Sequence, residues 1–129
     1  MFKDFTSEVM SYPGGEKITA CLQCGTCTGS CPTSHAMKYT PRRLISLIRA
    51  NQRDKVLESL DIWKCASCYT CTARCPRGIK FTDIMYILKN LAWKEQLKKG
   101  DKNIAGFYSA FQDLIEKRGR MNETELVMR

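Results

Sequence analysis

The cysteines of this 129-residue chain have a number and spacing suited to metal binding or redox chemistry. All eight cysteines fall within two copies of one pattern, CLQCGTCTGSCP at 21–32 and CASCYTCTARCP at 65–76. Each copy reads C-x2-C-x2-C-x3-C followed by proline, and the second copy repeats the first at an offset of 44 positions. The cysteines are Cys21, Cys24, Cys27, Cys31, Cys65, Cys68, Cys71 and Cys75.

This spacing is typical of ligands for 4Fe–4S clusters. Cysteines three residues apart let one tight loop wrap a cubane, with backbone N–H groups facing the cluster sulfurs. In two-cluster proteins with this run, the fourth cysteine of each copy ligates the other cluster. We therefore predict two 4Fe–4S clusters, the first held by Cys21, Cys24, Cys27 and Cys75, and the second by Cys65, Cys68, Cys71 and Cys31.

Other uses of clustered thiols fit the pattern less well. Structural zinc sites pair cysteines across a longer loop, and a third cysteine at three-residue spacing would be surplus. A thioredoxin-type site needs two cysteines in an α/β context, and disulfides require oxidising conditions and do not explain the repetition.

The formal net charge of +8 does not by itself indicate a nucleic-acid partner. The basic residues are scattered among acidic ones without a long basic run. Two cluster cores of charge +2, each bound by four thiolates, would also lower the net charge to +4. We therefore expect no nucleic-acid partner and a surface suited to acidic proteins.

The chain contains no apolar run of the roughly 18 residues that a membrane span needs. Its first residues, Met1 to Asp4, lead into a polar stretch unlike a secretory signal. We therefore expect no membrane insertion and a cytoplasmic location, where reduced thiols are available to bind metal.

The spacing of apolar residues predicts an all-α fold. Thr40-Pro41 resembles an N-cap followed by the first helical residue, and RDKVLESL predicts a shorter helix after it. Thr82 or Asp83 could cap a third helix that ends at Lys98-Lys99-Gly100. A further helix is predicted at about 104–118, followed by a capping box at 122–125.

Other candidate residues have structural explanations. His35 is the single histidine, but eight cysteines already complete two clusters, so we expect a local hydrogen-bonding role for it. A group of apolar and aromatic residues flanks the cysteine loops and is expected to shield the clusters from water. These residues are Trp63, Tyr69, Ile79, Phe81 and Met85.

Beyond its cysteines the chain resembles a known family. The cysteine runs alone are similar to those of helical two-cluster subunits of succinate dehydrogenase-like and glycolate oxidase-like enzymes. Together with TPRRLISLIRAN, WKCASCYTCTARCPRGI and FYSAFQDLIEKRGRMNETEL, they resemble the C subunit of heterodisulfide reductase, from about Ile18 onward.

The resemblance implies an alpha-helical ferredoxin domain that carries electrons from a flavin-containing A subunit to a catalytic B subunit. The B subunit of that family has CCG domains with non-cubane clusters. The reaction is reduction of the mixed disulfide of coenzyme M and coenzyme B in methanogens, often with flavin-based electron bifurcation.

The chain itself is expected to have no catalytic residue, because no cysteine is left after two clusters and no G-x-G-x-x-G motif is present. We expect an N-terminal extension at 1–17, a two-cluster domain at 18–100 and a C-terminal docking extension at 101–129. The alternatives are a related complex that reduces another disulfide or a quinone, and a freely diffusing ferredoxin-like carrier. A diffusing carrier is usually smaller and often acidic.

Overall fold

The computed structural model describes residues 4–99 and 104–128, with side chains throughout except at 96–99, 104 and 105. This part of the chain is helical and has no β-strand, which confirms the predicted all-α class. The α-helices are α1 (Phe5–Met10), α2 (Thr26–Ser30), α3 (Pro41–Arg49), α4 (Arg53–Leu57), α5 (Thr70–Arg74), α6 (Phe81–Lys99), α7 (Ile104–Arg118) and α8 (Glu123–Val127). Three short 3₁₀ turns cover Ile18–Ala20, Ser34–Ala36 and Leu60–Lys64. None of the described helices is both long enough and apolar enough to cross a membrane.

The chain divides into two compact units, Met1–Asn90 and Leu91–Arg129. The core of the first unit contains the apolar face of α3, where Leu44, Ile45 and Ile48 are buried. The inner face of α6 contributes Ile84 and Leu88 to the buried set. In the second unit, Leu114 of α7 is fully buried.

The N-terminal segment forms a helix that the sequence patterns did not predict. The Asn51 side-chain oxygen accepts a hydrogen bond from the Phe5 N–H at 2.8 Å, and the Thr6 hydroxyl donates to the Ile48 carbonyl at 3.0 Å. Glu8 forms an ion pair with Arg53 at 2.9 Å. Because these contacts all join α1 to the region around α3 and α4, the segment before the first cysteine is part of the first unit.

The predicted starts and ends of helices are partly correct. α3 begins at Pro41 with Thr40 as N-cap, and Asn122 caps α8 by accepting from the Glu125 N–H at 3.2 Å. The capping role expected of Thr82 or Asp83 is wrong, because α6 begins at Phe81 and both residues lie in its first turn.

The ends of α4, α6 and α7 can be compared with the predicted ends of these helices. α4 ends at Leu57, so the predicted helix RDKVLESL is shorter than expected. α7 runs from Ile104 to Arg118 as predicted, and Gly119 follows it with φ +69°. α6 extends to Lys99. The expected glycine cap at Gly100 lies outside the described residues.

Candidate metal centre

The two cysteine loops have the same backbone conformation. Gln23 and Ser67, at equivalent places, have φ of 60° and 55°, and Gly25 and Tyr69 have φ of 83° and 61°. Each loop then enters a one-turn helix, α2 or α5. A left-handed conformation costs a tyrosine about 1 kcal/mol or more, and such strain is concentrated at functional sites. The repeat in the sequence is therefore also a repeat in the backbone.

Five cysteines line the first recess, a concave space of about 400 Å³ including its open mouth. Its walls also contain Ile45, Ile79 and Phe81, and its rim contains Arg42 and Arg77. The cysteines are Cys21, Cys24, Cys27, Cys71 and Cys75.

Four cysteines line the second recess, of about 350 Å³. Apolar side chains make up much of the remaining wall, among them Met37, Pro41, Phe81 and Met85. The cysteines are Cys31, Cys65, Cys68 and Cys71.

Each recess thus takes cysteines from both copies of the repeat. Cys75 lies with the first three cysteines of the first copy, whereas Cys31 lies with the first three of the second. Cys71 borders both recesses. The two loops are brought together because α2 packs against α5, and the Arg74 guanidinium donates to the Ser30 hydroxyl at 3.4 Å.

The donor set fits iron–sulfur clusters. The ligand-type atoms that converge on the two recesses are thiols, and the walls around them are largely apolar. Within residues 4–99 and 104–128, no three Cys, His, Asp or Glu side chains converge tightly enough to hold a single metal ion. A cubane spreads its four thiolates over four iron atoms, so it uses ligands placed around a wider space.

Hydrogen bonds to sulfur surround the first recess. The Gln23 backbone N–H and side-chain amide each donate to Cys21 Sγ at 3.3 Å. The pKa of Cys24 is lowered by hydrogen bonds from the Thr26 hydroxyl and N–H, and the hydroxyl lies 3.4 Å from Cys24 Sγ. Burial instead raises the pKa of Cys27. Since thiolates bind metal, donors that stabilise the charged sulfur favour ligation.

Threonine hydroxyls face the sulfurs of the second recess. Thr33 Oγ1 is 3.5 Å from Cys31 Sγ, and Thr82 Oγ1 is 3.5 Å from Cys71 Sγ. Thr82 Oγ1 also accepts a hydrogen bond from Thr72 Oγ1 at 2.9 Å, which leaves its own hydrogen for the cysteine. Hydrogen bonds from Thr70 lower the pKa of Cys68, as those from Thr26 do for Cys24.

Three long cations bind backbone carbonyls at the start of the loops. Arg49 Nη1 donates to the Cys21 carbonyl at 3.0 Å, and Lys89 Nζ donates to the Cys65 carbonyl at 3.3 Å. Arg77 Nε donates to the Ala20 carbonyl at 3.2 Å. These bonds fix the first cysteine of each loop and place positive charge beside the recesses.

The remaining predicted residues divide into two groups. Phe81 lines both recesses, Ile79 the first, and Tyr69 and Met85 the second, in keeping with the expected shielding. Trp63 and His35 line neither recess, and His35 is exposed.

Several polar residues at the recesses escaped the sequence patterns. Gln23, Arg42, Arg77 and Thr82 contact or border the cysteines, but the sequence patterns predicted no role at the clusters for any of them and only a helix cap for Thr82. The signal that could have found Gln23 is its place inside the first loop, between two cysteines.

Comparison with protein families supports an iron–sulfur site. Residues 17–79 match the family described as a 4Fe-4S dicluster domain, and that span contains every cysteine of the chain. The part of the chain that carries the cysteines therefore binds iron–sulfur clusters.

The chain is also similar to curated reductase subunits from methanogens. It is 38% identical over 92 residues to the C subunit of the H(2):CoB-CoM heterodisulfide,ferredoxin reductase of Methanothermobacter marburgensis, which covers 71% of this chain and 49% of the relative. It is 43% identical over 97 residues to the C2 subunit of the H(2)/formate:CoB-CoM heterodisulfide,ferredoxin reductase of Methanococcus maripaludis, covering 70% and 52%.

A longer match is to the second iron–sulfur C subunit of the CoB–CoM heterodisulfide reductase of Methanocaldococcus jannaschii, with 38% identity over 114 residues. That match covers 82% of this chain and 61% of the relative. The chain therefore spans about half the length of the first two relatives and somewhat more of the third.

Proposed function

Since residues 17–79 belong to the 4Fe-4S dicluster domain family and the chain is homologous to C subunits of CoB–CoM heterodisulfide reductases, we propose that it is the electron-transfer iron–sulfur subunit of such a reductase. In this role it carries electrons from a flavin-containing subunit to the subunit that reduces the disulfide of coenzyme M and coenzyme B. The chain contributes to the reaction by electron transfer and has no catalytic residue of its own.

The proposal includes two 4Fe–4S clusters with crossed ligands. The observation that carries it is the mixed lining of the recesses, in which Cys75 joins the first loop and Cys31 joins the second. When bound, such clusters supply reversible one-electron chemistry without proton or atom transfer. The first cluster is held by Cys21, Cys24, Cys27 and Cys75, and the second by Cys65, Cys68, Cys71 and Cys31.

The side chains around the thiolates have separate tasks. Phe81, which lines both recesses, excludes water between them and lowers the local dielectric constant. Arg49 and Lys89 hold the loops in place through backbone carbonyls. Because each cluster takes ligands from both copies of the repeat, metal binding also stabilises the fold by joining its two halves.

A stable complex with the flavin-containing A subunit and the CCG-domain B subunit fits the chain better than free diffusion. The relatives are named as subunits, and the net charge of +8 differs from that of the acidic diffusing carriers. In the second unit, four large apolar side chains among the described side chains of α7 are exposed, which would favour contact with another protein. These are Phe107, Tyr108, Phe111 and Ile115.

The experiment is anaerobic purification of the native complex through a tag on this chain, followed by mass spectrometry of the subunits. We expect a flavin-containing subunit and a disulfide-reducing subunit to co-purify. Because the B subunit of this family carries clusters of its own, iron is counted on this chain alone after anaerobic reconstitution. Two 4Fe–4S clusters then require about eight irons and eight acid-labile sulfides per chain. Omitting this chain from the reconstituted complex should abolish electron flow from the flavin to the heterodisulfide.

Two results would count against the proposal. Recovery of the chain alone, with full activity as a diffusible donor, would favour the free carrier. A colourless protein with two tightly bound zinc ions would exclude both roles.

A further inference from the structure

The two halves of the dicluster domain can be compared position by position. The loops align at an offset of 44, as the left-handed pair Gln23 and Ser67 illustrates. The following helices align at an offset of 40, because Arg49 and Lys89 bond the carbonyls of Cys21 and Cys65. The helix starts agree with this second offset. The Arg42 N–H donates to the Thr28 hydroxyl and the Thr82 N–H donates to the Thr72 hydroxyl, both at 3.0 Å.

This alignment identifies where the halves differ beside the recesses. Gln23, whose amide donates to Cys21 Sγ, is replaced by the shorter Ser67 in the second loop. Arg42, at the rim of the first recess, is replaced by Thr82 in the second. Arg77, also at the first rim, occupies the position that Thr33 takes two residues after Cys31.

The charges around the two recesses are consequently unequal. Arg42 and Arg77 line the first recess, whereas no charged side chain lines the second among the residues that the structure describes. Neither arginine forms an ion pair with a carboxylate within residues 4–99 and 104–128, so their positive charge is not neutralised there. Arg49 and Lys89 make equivalent bonds in the two halves and therefore do not contribute to the difference.

Hydrogen bonds to sulfur are present on both sides. The Thr33 and Thr82 hydroxyls face Cys31 and Cys71 in the second recess, and Thr26 and the Gln23 amide face Cys24 and Cys21 in the first. Both recesses therefore have hydroxyl partners for sulfur. The first recess differs mainly in having a side-chain amide donor and two guanidinium groups as well.

Reduction adds one electron, and hence one negative charge, to a cluster. Positive charge and N–H donors stabilise the more negative state, whereas an apolar wall disfavours it. Met37, Pro41 and Met85 form such a wall in the second recess.

We propose that the cluster in the first recess has the higher reduction potential, set by Gln23 and Arg42, so that it holds the first electron to enter this chain. The inference rests on the proposed two-cluster function. Neither Gln23 nor Arg42 is a ligand, so each would act on the potential through its N–H donor or its positive charge near the cluster. One electron would pass from a low-potential one-electron donor to the cluster in the first recess. No covalent bond is formed or broken, and no proton is transferred.

The test is a potentiometric titration of the anaerobically reconstituted chain, followed by electron paramagnetic resonance, on the wild type and four variants. Gln23→Ser copies the second loop into the first, and Ser67→Gln does the reverse. Arg42→Gln removes the exposed charge at the rim. Arg43→Gln is the matched control, because Arg43 is the next residue of α3 and lies over the Tyr39 ring, 5.7 Å from its centroid.

We expect Gln23→Ser and Arg42→Gln each to lower the higher of two midpoint potentials while the other stays in place. The expected size is about tenfold in the reduction equilibrium, or about 59 mV for a one-electron couple. Ser67→Gln should raise the lower midpoint, and Arg43→Gln should move neither. If Gln23→Ser fails to take up clusters, the Arg42→Gln variant alone tests the inference. The Arg42 side chain is exposed and makes no hydrogen bond to the rest of the described chain, so its replacement should leave the fold intact.

Other outcomes would overturn the inference. It is wrong if Gln23→Ser and Arg42→Gln shift the lower midpoint or shift neither, or if Arg43→Gln acts as strongly as Arg42→Gln. In those cases two clusters are still present and the proposed function stands. A chain that binds fewer than two clusters would instead overturn the proposed function, and the inference with it.

Discussion

Arg49 and Lys89 make the same hydrogen bond in the two halves of the repeat. Arg49 donates to the carbonyl of Cys21 and Lys89 to the carbonyl of Cys65, at 3.0 and 3.3 Å. Each cation extends from the helix that follows a cysteine loop back to the first residue of that loop. The relationship joins the helices α3 and α6 to the loops that they support.

Loss of either cation should loosen its loop. We expect Arg49→Ala and Lys89→Ala each to lower stability by about 1 to 2 kcal/mol, the range for a hydrogen bond with a charged donor. The measurement is the thermal unfolding midpoint of the reconstituted protein under anaerobic conditions. Arg43→Ala is the control on α3, and an equal loss of stability in that variant would show that the carbonyl bonds do not matter.

Gly15 should not tolerate a side chain. A methyl group on Gly15 would overlap the backbone carbonyl of Val9, and Gly15 is buried. Because backbone must move to relieve the overlap, Gly15→Ala should cost about 2 kcal/mol or more. Gly29→Ala is the matched control, since open space surrounds that position in α2 and alanine favours helix. Chemical denaturation of both variants measures the difference, and equal stabilities would contradict the prediction.

Asp61 connects the segment after the first loop to the turn before the second. It is 3% exposed and accepts from the Tyr39 N–H at 2.7 Å, the Ser59 hydroxyl at 3.1 Å and Lys64 Nζ at 3.1 Å. Burial alone would raise the pKa of Asp61, but these hydrogen bonds together lower it below its usual value. The carboxylate is therefore charged in the folded protein at neutral pH.

Asp61→Asn should lower stability by about 2 kcal/mol, because charged hydrogen bonds are lost in a buried position. A lowered pKa stabilises the fold above the unfolded value of about 4, and this contribution disappears as the pH falls through the folded pKa. The gap in unfolding midpoint between wild type and variant should thus be constant from pH 7 to about 5 and narrow below about 4. A gap that widens on acidification would contradict this sign.

The cysteine runs predicted the iron–sulfur fold from the sequence because ligand spacing is a local property. The start of α3 at Pro41 and the end of α7 before Gly119 were likewise predicted, since proline and glycine restrict the backbone where they stand. The start of α6 was not, because Thr82 forms bonds with Thr72 and Cys71 instead of capping the helix.

Contacts between distant parts of the chain explain the other omissions. α1 has six residues, too few for a clear apolar period, and is held by Asn51 and Ile48 more than forty positions away. Gln23 and Arg42 acquire a role only when the loop and α3 meet, where the Gln23 amide also bonds the Arg42 carbonyl at 3.3 Å. Spacing along the chain does not encode that encounter.

The exposed face of α7 gives a prediction about the complex. Phe107 is 56% exposed, so Phe107→Ser should leave the free energy of unfolding within about 0.5 kcal/mol while weakening retention of partner subunits during purification. Val127→Ser is the control, because Val127 is 86% exposed on α8 and outside this face. Unchanged partner retention in Phe107→Ser would contradict a docking role for this side chain.

Serine variants of Cys31 and Cys75 test whether the two clusters take crossed ligands. Cys31→Ser should first perturb the cluster of Cys65, Cys68 and Cys71, because Cys31 lines the second recess. Cys75→Ser should first perturb the cluster of the first loop. Ligation within each copy of the repeat predicts the opposite pairing.

The most direct measurement is an anaerobic crystal structure of the reconstituted protein in which each sulfur–iron bond is traced. We predict Cys75 Sγ on the cluster bound by Cys21, Cys24 and Cys27, and Cys31 Sγ on the other cluster. Finding Cys31 in place of Cys75 beside the first three cysteines would contradict the crossed arrangement. It would also remove the reason to expect that the clusters join the two halves of the domain.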